Sequence, residues 1–340
     1  VSGRKFYQVP VAEVIAETDQ AVTIVFALPP ELTQVFAYRP GQFLTLRIPA
    51  PDGGSVARCY SLCSSPVTDD ALAVTVKRIA GGLASHWIGD HVSAGTVLDV
   101  LPPAGTFTPR SLDADLLLLA GGSGITPVMS ILKSALHAGR GRIVLIYANS
   151  DERSVIFARQ LRELQSSAPH RLIVAHWLDG LQGPPDVTAL RELARPYANF
   201  DAYICGPDLF MAAVRQALAE LGVPAARLHV ERFLSLAENP FEASETAGGV
   251  AAALEVDLDD EARTLDWPAG RRMLDVMIDA GLDPPYSCRE GICGACACRL
   301  VAGQVEMAHN EVLEAADLAD GYILACQSVA LSDTVSVSYQ

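Results

Sequence analysis

Apolar and polar positions alternate in three different ways along the chain, and each texture predicts its own architecture. Over the first hundred residues, short apolar runs such as AVTIVFAL, QFLTLRI, LAVTVKR and TVLDVLP are broken by PP, RPG, PDGG and PPAG. Short runs between Gly- and Pro-rich turns predict an antiparallel barrel or sandwich. After residue 110 the runs DLLLLA, RIVLIYAN, RLIVAHWL and DAYIC are continuously apolar, and VMSILKSAL, SVIFARQLRELQ and DLFMAAVRQALAELG between them carry apolar residues at helical spacing. Buried strands alternating with helices predict an α/β doubly wound parallel sheet. Periodicity lapses at AENPFEASETAGGVAAA, which reads as a linker. Beyond it, LEVDLD and EARTLDWP suggest a hairpin, and MLDVMIDAGL a helix ending at Gly281. The expected division is therefore 1–109, 110–235, a linker at 236–253, and 254–340.

Length and charge narrow the picture. A chain of 340 residues exceeds what one hydrophobic core organises. It has no apolar run of the length a membrane span needs. The opening residues show no apolar core followed by a small-residue cleavage site, so a cytoplasmic, reducing location is expected. There, eight cysteines read as metal ligands or free thiols rather than disulfides. Of the formal net charge of −15, the stretch from residue 251 carries −11, with 16 Asp and Glu against 5 Arg and no Lys. Such a surface repels nucleic acid and suits a partner with a basic patch, although it also fits a plainly solvated face. The oligomeric state is not readable from the sequence, which is compatible with a monomer.

The densest chemistry is SCREGICGACACRL, residues 287–300. Cys288, Cys293 and Cys296 follow C-x4-C-x2-C, and Cys326 stands alone in ILACQS. This is the plant-type spacing for a [2Fe-2S] cluster. A structural zinc site would show two paired knuckles where here there is one. Gly291, Gly294 and Ala295 leave room for backbone N–H groups to reach sulfur. Cys298 reads as a small buried residue. Residues 254–340 resemble a plant-type ferredoxin, which implies an α+β β-grasp fold and one-electron transfer at low potential.

Two further motifs precede it. Alternation puts Arg58 and Tyr60 of RCYS on one side of a strand, and GGLAS opens a helix whose free N–H groups suit a pyrophosphate. Each alone also fits a surface charge or a plain turn. GGSGITP, residues 121–127, sits where a strand gives way to a helix, the usual place for a dinucleotide phosphate. In this order the motifs resemble the ferredoxin-NADP reductase superfamily. The resemblance implies Arg58 on the diphosphate of FAD, Tyr60 against the isoalloxazine and Ser61 near its N5, with Cys59, Val76 and Lys77 alongside. It implies Gly81, Gly82, Leu83, Ala84 and Ser85 in the phosphate turn. Gly122 and Gly124 would approach the nicotinamide nucleotide, with Thr126 and Pro127 next to them. Cys205, Gly206 and Pro207 would lie beside the nicotinamide. Phe233 of HVERF would shield the flavin. In YANSDERS, Asp151 and Glu152 argue against a 2′-phosphate and Arg153 for one; the balance favours NADH, with NADPH the alternative.

The assembled order has a chemical logic. Hydride brings two electrons, an iron-sulfur cluster takes one, and a flavin handles both. The chain resembles two reductase families, that of 3-ketosteroid 9α-hydroxylase and that of phenylacetyl-CoA epoxidase. This implies electron flow from NADH through FAD and [2Fe-2S] to a terminal oxygenase, a Rieske steroid hydroxylase. Rival readings are a reductase for a di-iron epoxidase or acyl desaturase, and a ferredoxin-like carrier with an inactive flavin site.

Overall fold

Each texture becomes a sheet of its own in a computed structural model that describes residues 6–241, 248–258 and 261–339. The first sheet comprises β1 (Tyr7–Thr18), β2 (Ala21–Phe26), β3 (Phe43–Pro49), β4 (Ser55–Ser61), β5 (Ala73–Lys77) and β6 (Val97–Ala104). All pairings are antiparallel, in the order β4-β3-β6-β1-β2-β5. A bridge between Leu62 and Val74 closes the ends into a barrel. Alternation sorts the faces: Leu44, Leu46 and Ile48 of β3 fill the barrel, while Phe43 points away from it. Strand β1 is twelve residues long, yet only Val9 and Val11 are buried. It therefore leaves no apolar run in the sequence.

The second sheet is fully parallel, in the order β11-β10-β7-β8-β9. Its strands are β7 (Leu116–Gly121), β8 (Ile143–Asn149), β9 (Leu172–Leu178), β10 (Asp201–Cys205) and β11 (Leu228–Glu231). Helix α1 (Leu83–His91) belongs to the barrel; α2 (Ile125–Ala138) and α3 (Ala158–Ser167) cover one face of this sheet. A short α4 (Asp179–Gln182) follows β9, and α5 (Val187–Ala194) and α6 (Asp208–Glu220) cover the other face. Leu116 and Leu118 pack on the first face, Leu117 and Leu119 on the second, which explains the unbroken apolar runs. Helix α3 starts at Ala158, later than the expected SVIFARQLRELQ. Val155, Ile156 and Phe157 are buried anchors, and Phe157 takes a left-handed φ of 62° ahead of the helix.

The third sheet has the order β13-β12-β18-β14-β16, built from β12 (Ala252–Leu258), β13 (Glu261–Trp267), β14 (Ala297–Ala302), β16 (Tyr322–Leu324) and β18 (Thr334–Ser338). Here β12 and β18 are parallel and the other pairs antiparallel. β15 (Val305–Met307) and β17 (Ser328–Ala330) form a separate ribbon. Helix α7 (Met273–Asp279) packs on this sheet, and the chain leaves it at Gly281 with φ of 80°. This is the expected helix and the β-grasp arrangement.

The third core does not stop at its own sheet. It is continuous with Phe43, Ala57, Leu101 and Ala104 on the outer face of β3, β4 and β6. Part of the expected linker straps the two together. Leu236 and Phe241 are buried, Asn239 Nδ2 donates to Ser55 Oγ at 2.9 Å, and Arg272 makes two 2.8 Å hydrogen bonds to Glu238. Residues 242–247 of that stretch lie outside the described residues. Among the described residues no helix is long and apolar enough to cross a membrane.

Candidate functional site

A pocket of about 440 Å³ opens between β4, the turn before α1, and Phe233. Arg58, Cys59, Tyr60 and Ser61 line it from β4. Lys77 and the turn Gly81, Gly82, Leu83, Ala84 and Ser85 line the opposite side. Val76 turns into the barrel core instead and is 2% exposed; alternation hands the lining to Thr75 and Lys77. The turn has a steric reason for glycine. Gly81 has φ of +70°, and a Cβ on Gly82 would lie 2.4 Å from Ile79 Cγ1 and 2.8 Å from Ser85 Oγ. Ser85 Oγ accepts the Ile79 N–H and donates to the Gly82 carbonyl, both at 3.2 Å. No side chain caps α1, so its first N–H groups are free to take a phosphate beside the pocket. An aromatic-walled cavity with a cationic, uncapped turn at one side fits FAD.

At the carboxyl ends of β7 and β10 the two glycine motifs interlock. A Cβ on Gly124 would lie 2.1 Å from the Cys205 carbonyl oxygen, and one on Gly206 would lie 2.9 Å from the Gly121 nitrogen. Gly122 adopts φ of +52°. Backbone-to-backbone contact therefore demands glycine at 124 and 206, and the left-handed φ favours it at 122. Thr126 lines the flavin pocket and donates to the Ser123 carbonyl at 3.1 Å; Pro127 is buried in the first turn of α2, where its missing N–H costs no bond. Cys205 is fully buried, and burial followed by the charge of Glu231 pushes its thiol well above the ordinary range.

Next to these motifs lies a pocket of about 280 Å³, lined by Lys77, Gly122, Asn149, Asp179, Pro184 and Pro207 among others. It sits beside the point where strand order reverses between β7 and β10, the expected nucleotide position in an open parallel sheet. Asp179 Oδ1 is buried there with no hydrogen-bond partner among the described residues. No motif marks Asp179 in the sequence; only the topology brings the end of β9 to this pocket. Asp151 and Arg153 are exposed and outside that lining, and the Asp151 carboxylate accepts the Ser154 N–H at 2.9 Å. Phe233 is 48% exposed and borders both the flavin pocket and a third cavity of about 510 Å³. That cavity also meets Cys59, Ser61, Glu231 and, from the cysteine loop, Ile292. Burial pushes the Glu231 carboxyl up to about 8.

The structure brings Cys288, Cys293, Cys296 and Cys326 together, all at least nine-tenths buried. They associate in two pairs, Cys288 with Cys293 and Cys296 with Cys326, each thiol acting most strongly on the protonation of its partner. Among the described residues no three His, Cys, Asp or Glu side chains close on a single ion. Two pairs fit two irons with two thiolates each, and a lone tetrahedral ion poorly. Backbone N–H groups point at sulfur: Glu290 to Cys288 at 3.4 Å, Ala295 to Cys293 and Cys326 to Cys296 at 3.5 Å. The Cys293 thiol, then neighbouring N–H groups, lower the Cys288 thiol to about 6 against the opposing cost of burial. Such donors suit a sulfur-rich anion. Gly291 and Gly294 have φ of 76° and 70°, and a Cβ on Gly291 would lie 2.6 Å from the His309 carbonyl oxygen. Cys298 is buried on β14, its thiol pushed up to about 12 by burial.

Comparison with known proteins agrees with this layout. Three family models match in order: oxidoreductase FAD-binding domain at residues 8–108, oxidoreductase NAD-binding domain at 118–216, and 2Fe-2S iron-sulfur cluster binding domain at 256–331. The chain is 54% identical over 346 residues to the ferredoxin reductase component of 3-ketosteroid-9-alpha-monooxygenase from Mycobacterium tuberculosis, covering 99% of this chain and 97% of that one. It is 33% identical over 359 residues to one of the subunits of the 1,2-phenylacetyl-CoA epoxidase of Escherichia coli, with 98% of each covered. Phthalate dioxygenase reductase shares the fold along 98% of both chains, with a TM-score of 0.58 at 24% identity. The chain thus belongs to the family of three-domain ferredoxin reductase components of oxygenases, which join an FAD-binding domain, an NAD-binding domain and a 2Fe-2S domain in one polypeptide.

Proposed function

We propose that this chain takes hydride from NADH and delivers electrons one at a time to a Rieske oxygenase that hydroxylates a 3-ketosteroid. Bound FAD and the [2Fe-2S] cluster supply the two-electron and one-electron chemistry between those ends. The observation that carries the reading is one of shared walls: Lys77 borders both the flavin and nucleotide pockets, and Phe233 and Cys59 border both the flavin pocket and the cavity at the cysteine loop. The 54% identity to a named steroid-oxygenase component supports the choice of partner. In this reading Arg58 and the turn Gly81 to Ser85 hold the diphosphate. Tyr60 backs the flavin ring, and Ser61 presents its hydroxyl near N5. Gly122, Gly124 and Thr126 seat the nicotinamide nucleotide with Cys205, Gly206 and Pro207, while Phe233 covers the flavin until nicotinamide arrives. Cys288, Cys293, Cys296 and Cys326 ligate the cluster. The chain divides as 1–109, 110–235 and 254–340, and works in the cytoplasm.

Preference for NADH is inferred from Asp179, which lines the nucleotide pocket and whose negative charge would disfavour a 2′-phosphate there. Purified holoprotein tests the function directly. NADH should bleach flavin and cluster absorbance, and adding a 3-ketosteroid Rieske oxygenase should couple NADH consumption to hydroxylated product. Flavin that stays oxidised with both NADH and NADPH would sink the reading. Coupling only to a di-iron epoxidase would move it to that rival.

A further inference from the structure

β4 is a wall with two occupied sides. Val56 and Tyr60 pack towards the barrel core, whereas Ala57 and Cys59 pack into the core of the cluster-bearing unit. Its neighbour β3 is paired so that Thr45 lies opposite Cys59. Thr45 is completely buried, on the same outer face as Phe43, and Ser287, immediately before the first ligand Cys288, is 1% exposed. Their hydroxyls share a 2.8 Å hydrogen bond across the boundary between the two units, and Thr45 Oγ1 also reaches Cys59 Sγ at 3.5 Å. A hydroxyl pair buried this deeply is costly unless both partners stay in register.

We propose that the Thr45–Ser287 hydrogen bond is a positioning contact that holds the start of the cysteine loop, one residue before Cys288, against the outer face of β3 beside the flavin-bearing strand β4, and so sets the rate of electron passage from flavin to cluster. The step moves one electron from reduced flavin, which is oxidised by one equivalent, to the oxidised cluster, which is reduced by one; no bond forms or breaks. The proposal rests on the function proposed above. Thr45 and Ser287 touch neither reacting group, so their effect is geometric: loss of the bond lets the ligand loop shift against β4.

Rapid mixing of the holoprotein with NADH separates the two readings, because flavin bleaching reports hydride transfer and the cluster band reports the second step. In Thr45→Val, flavin bleaching should keep the wild-type rate while cluster reduction slows on the order of tenfold. Thr45→Ser should restore it, and the cluster's reduction potential and EPR signature should stay unchanged. Ser287→Ala, which removes one oxygen from the opposite side, should match Thr45→Val. Wild-type cluster reduction in both variants overturns the proposal. Loss of the cluster in both would make the contact part of the ligand loop's own fold, and would overturn it equally. Failure of flavin bleaching in the wild type would instead strike the function itself.

Discussion

A carboxyl group in the wrong medium is the most informative single residue. Glu231 ends β11 beside Cys205 and Phe233, and burial raises its folded value to about 8, against about 4.3 for an unfolded chain. Between those values the folded state binds the extra proton, so stability is fully present below the unfolded value and is lost as pH rises through about 8. Thermal melting between about pH 5 and pH 9 should show the wild type losing more stability than Glu231→Gln. A parallel slope in the variant would remove Glu231 as the cause. Asp179 permits a second test at this scale. Asp179→Ser should shift kcat/KM towards NADPH by about tenfold relative to NADH, read by steady-state kinetics with both nucleotides. These two residues also show where sequence stops informing. Cys288, Cys293, Cys296 and Cys326, or Arg58 and Tyr60, announce themselves because spacing and alternation are local properties. Asp179 acquires its meaning from Gly122 and Pro207, and Thr45 from Ser287, all more than twenty-five positions away along the chain.

Elements were legible in proportion to how fully they are buried. β7 and β8 are covered on both faces, and their apolar runs match the strands almost residue for residue. β1 has mostly half-exposed or exposed side chains and passes unseen, and α5, eight residues long with Leu190 and Ala194 its only buried residues, is too short for its stripe to stand out. The phosphate turn lies between these cases: GGLAS was recognisable, but the reason for Gly82 is steric and appears only once Ile79 and Ser85 close over it. Gly82→Ala should force that turn apart at a cost of about 1–3 kcal/mol. We expect the variant to purify with reduced FAD content and an unchanged cluster, measured by the ratio of flavin to cluster absorbance. Full FAD occupancy would mean that the N-terminus of α1 is not the diphosphate seat.

For the whole molecule, the order of three units was readable and their mutual placement was not. The expected linker contains Glu238, bonded to Arg272 on one side, and Asn239, bonded to Ser55 on the other. Arg272 also donates to the Arg289 carbonyl at 3.2 Å, inside the ligand loop. Arg272→Ala should therefore destabilise the cluster-bearing unit by about 1–3 kcal/mol, seen as faster loss of cluster absorbance during thermal or urea unfolding. Charge acts at the same scale. The acidic half from residue 251 predicts that added salt raises the KM for the oxygenase partner while flavin reduction by NADH is scarcely affected.

The seat that the barrel offers its C-terminal neighbour has a practical corollary for anyone shortening this chain. Phe43, Ala57, Leu101 and Ala104 are buried in a core that they share with the unit built on the third sheet. Ending translation ahead of that sheet would expose a greasy scar, so the shortened fragment should precipitate or self-associate at concentrations where the full chain stays dispersed. Recoating those four sites with polar side chains is the repair such a fragment would need.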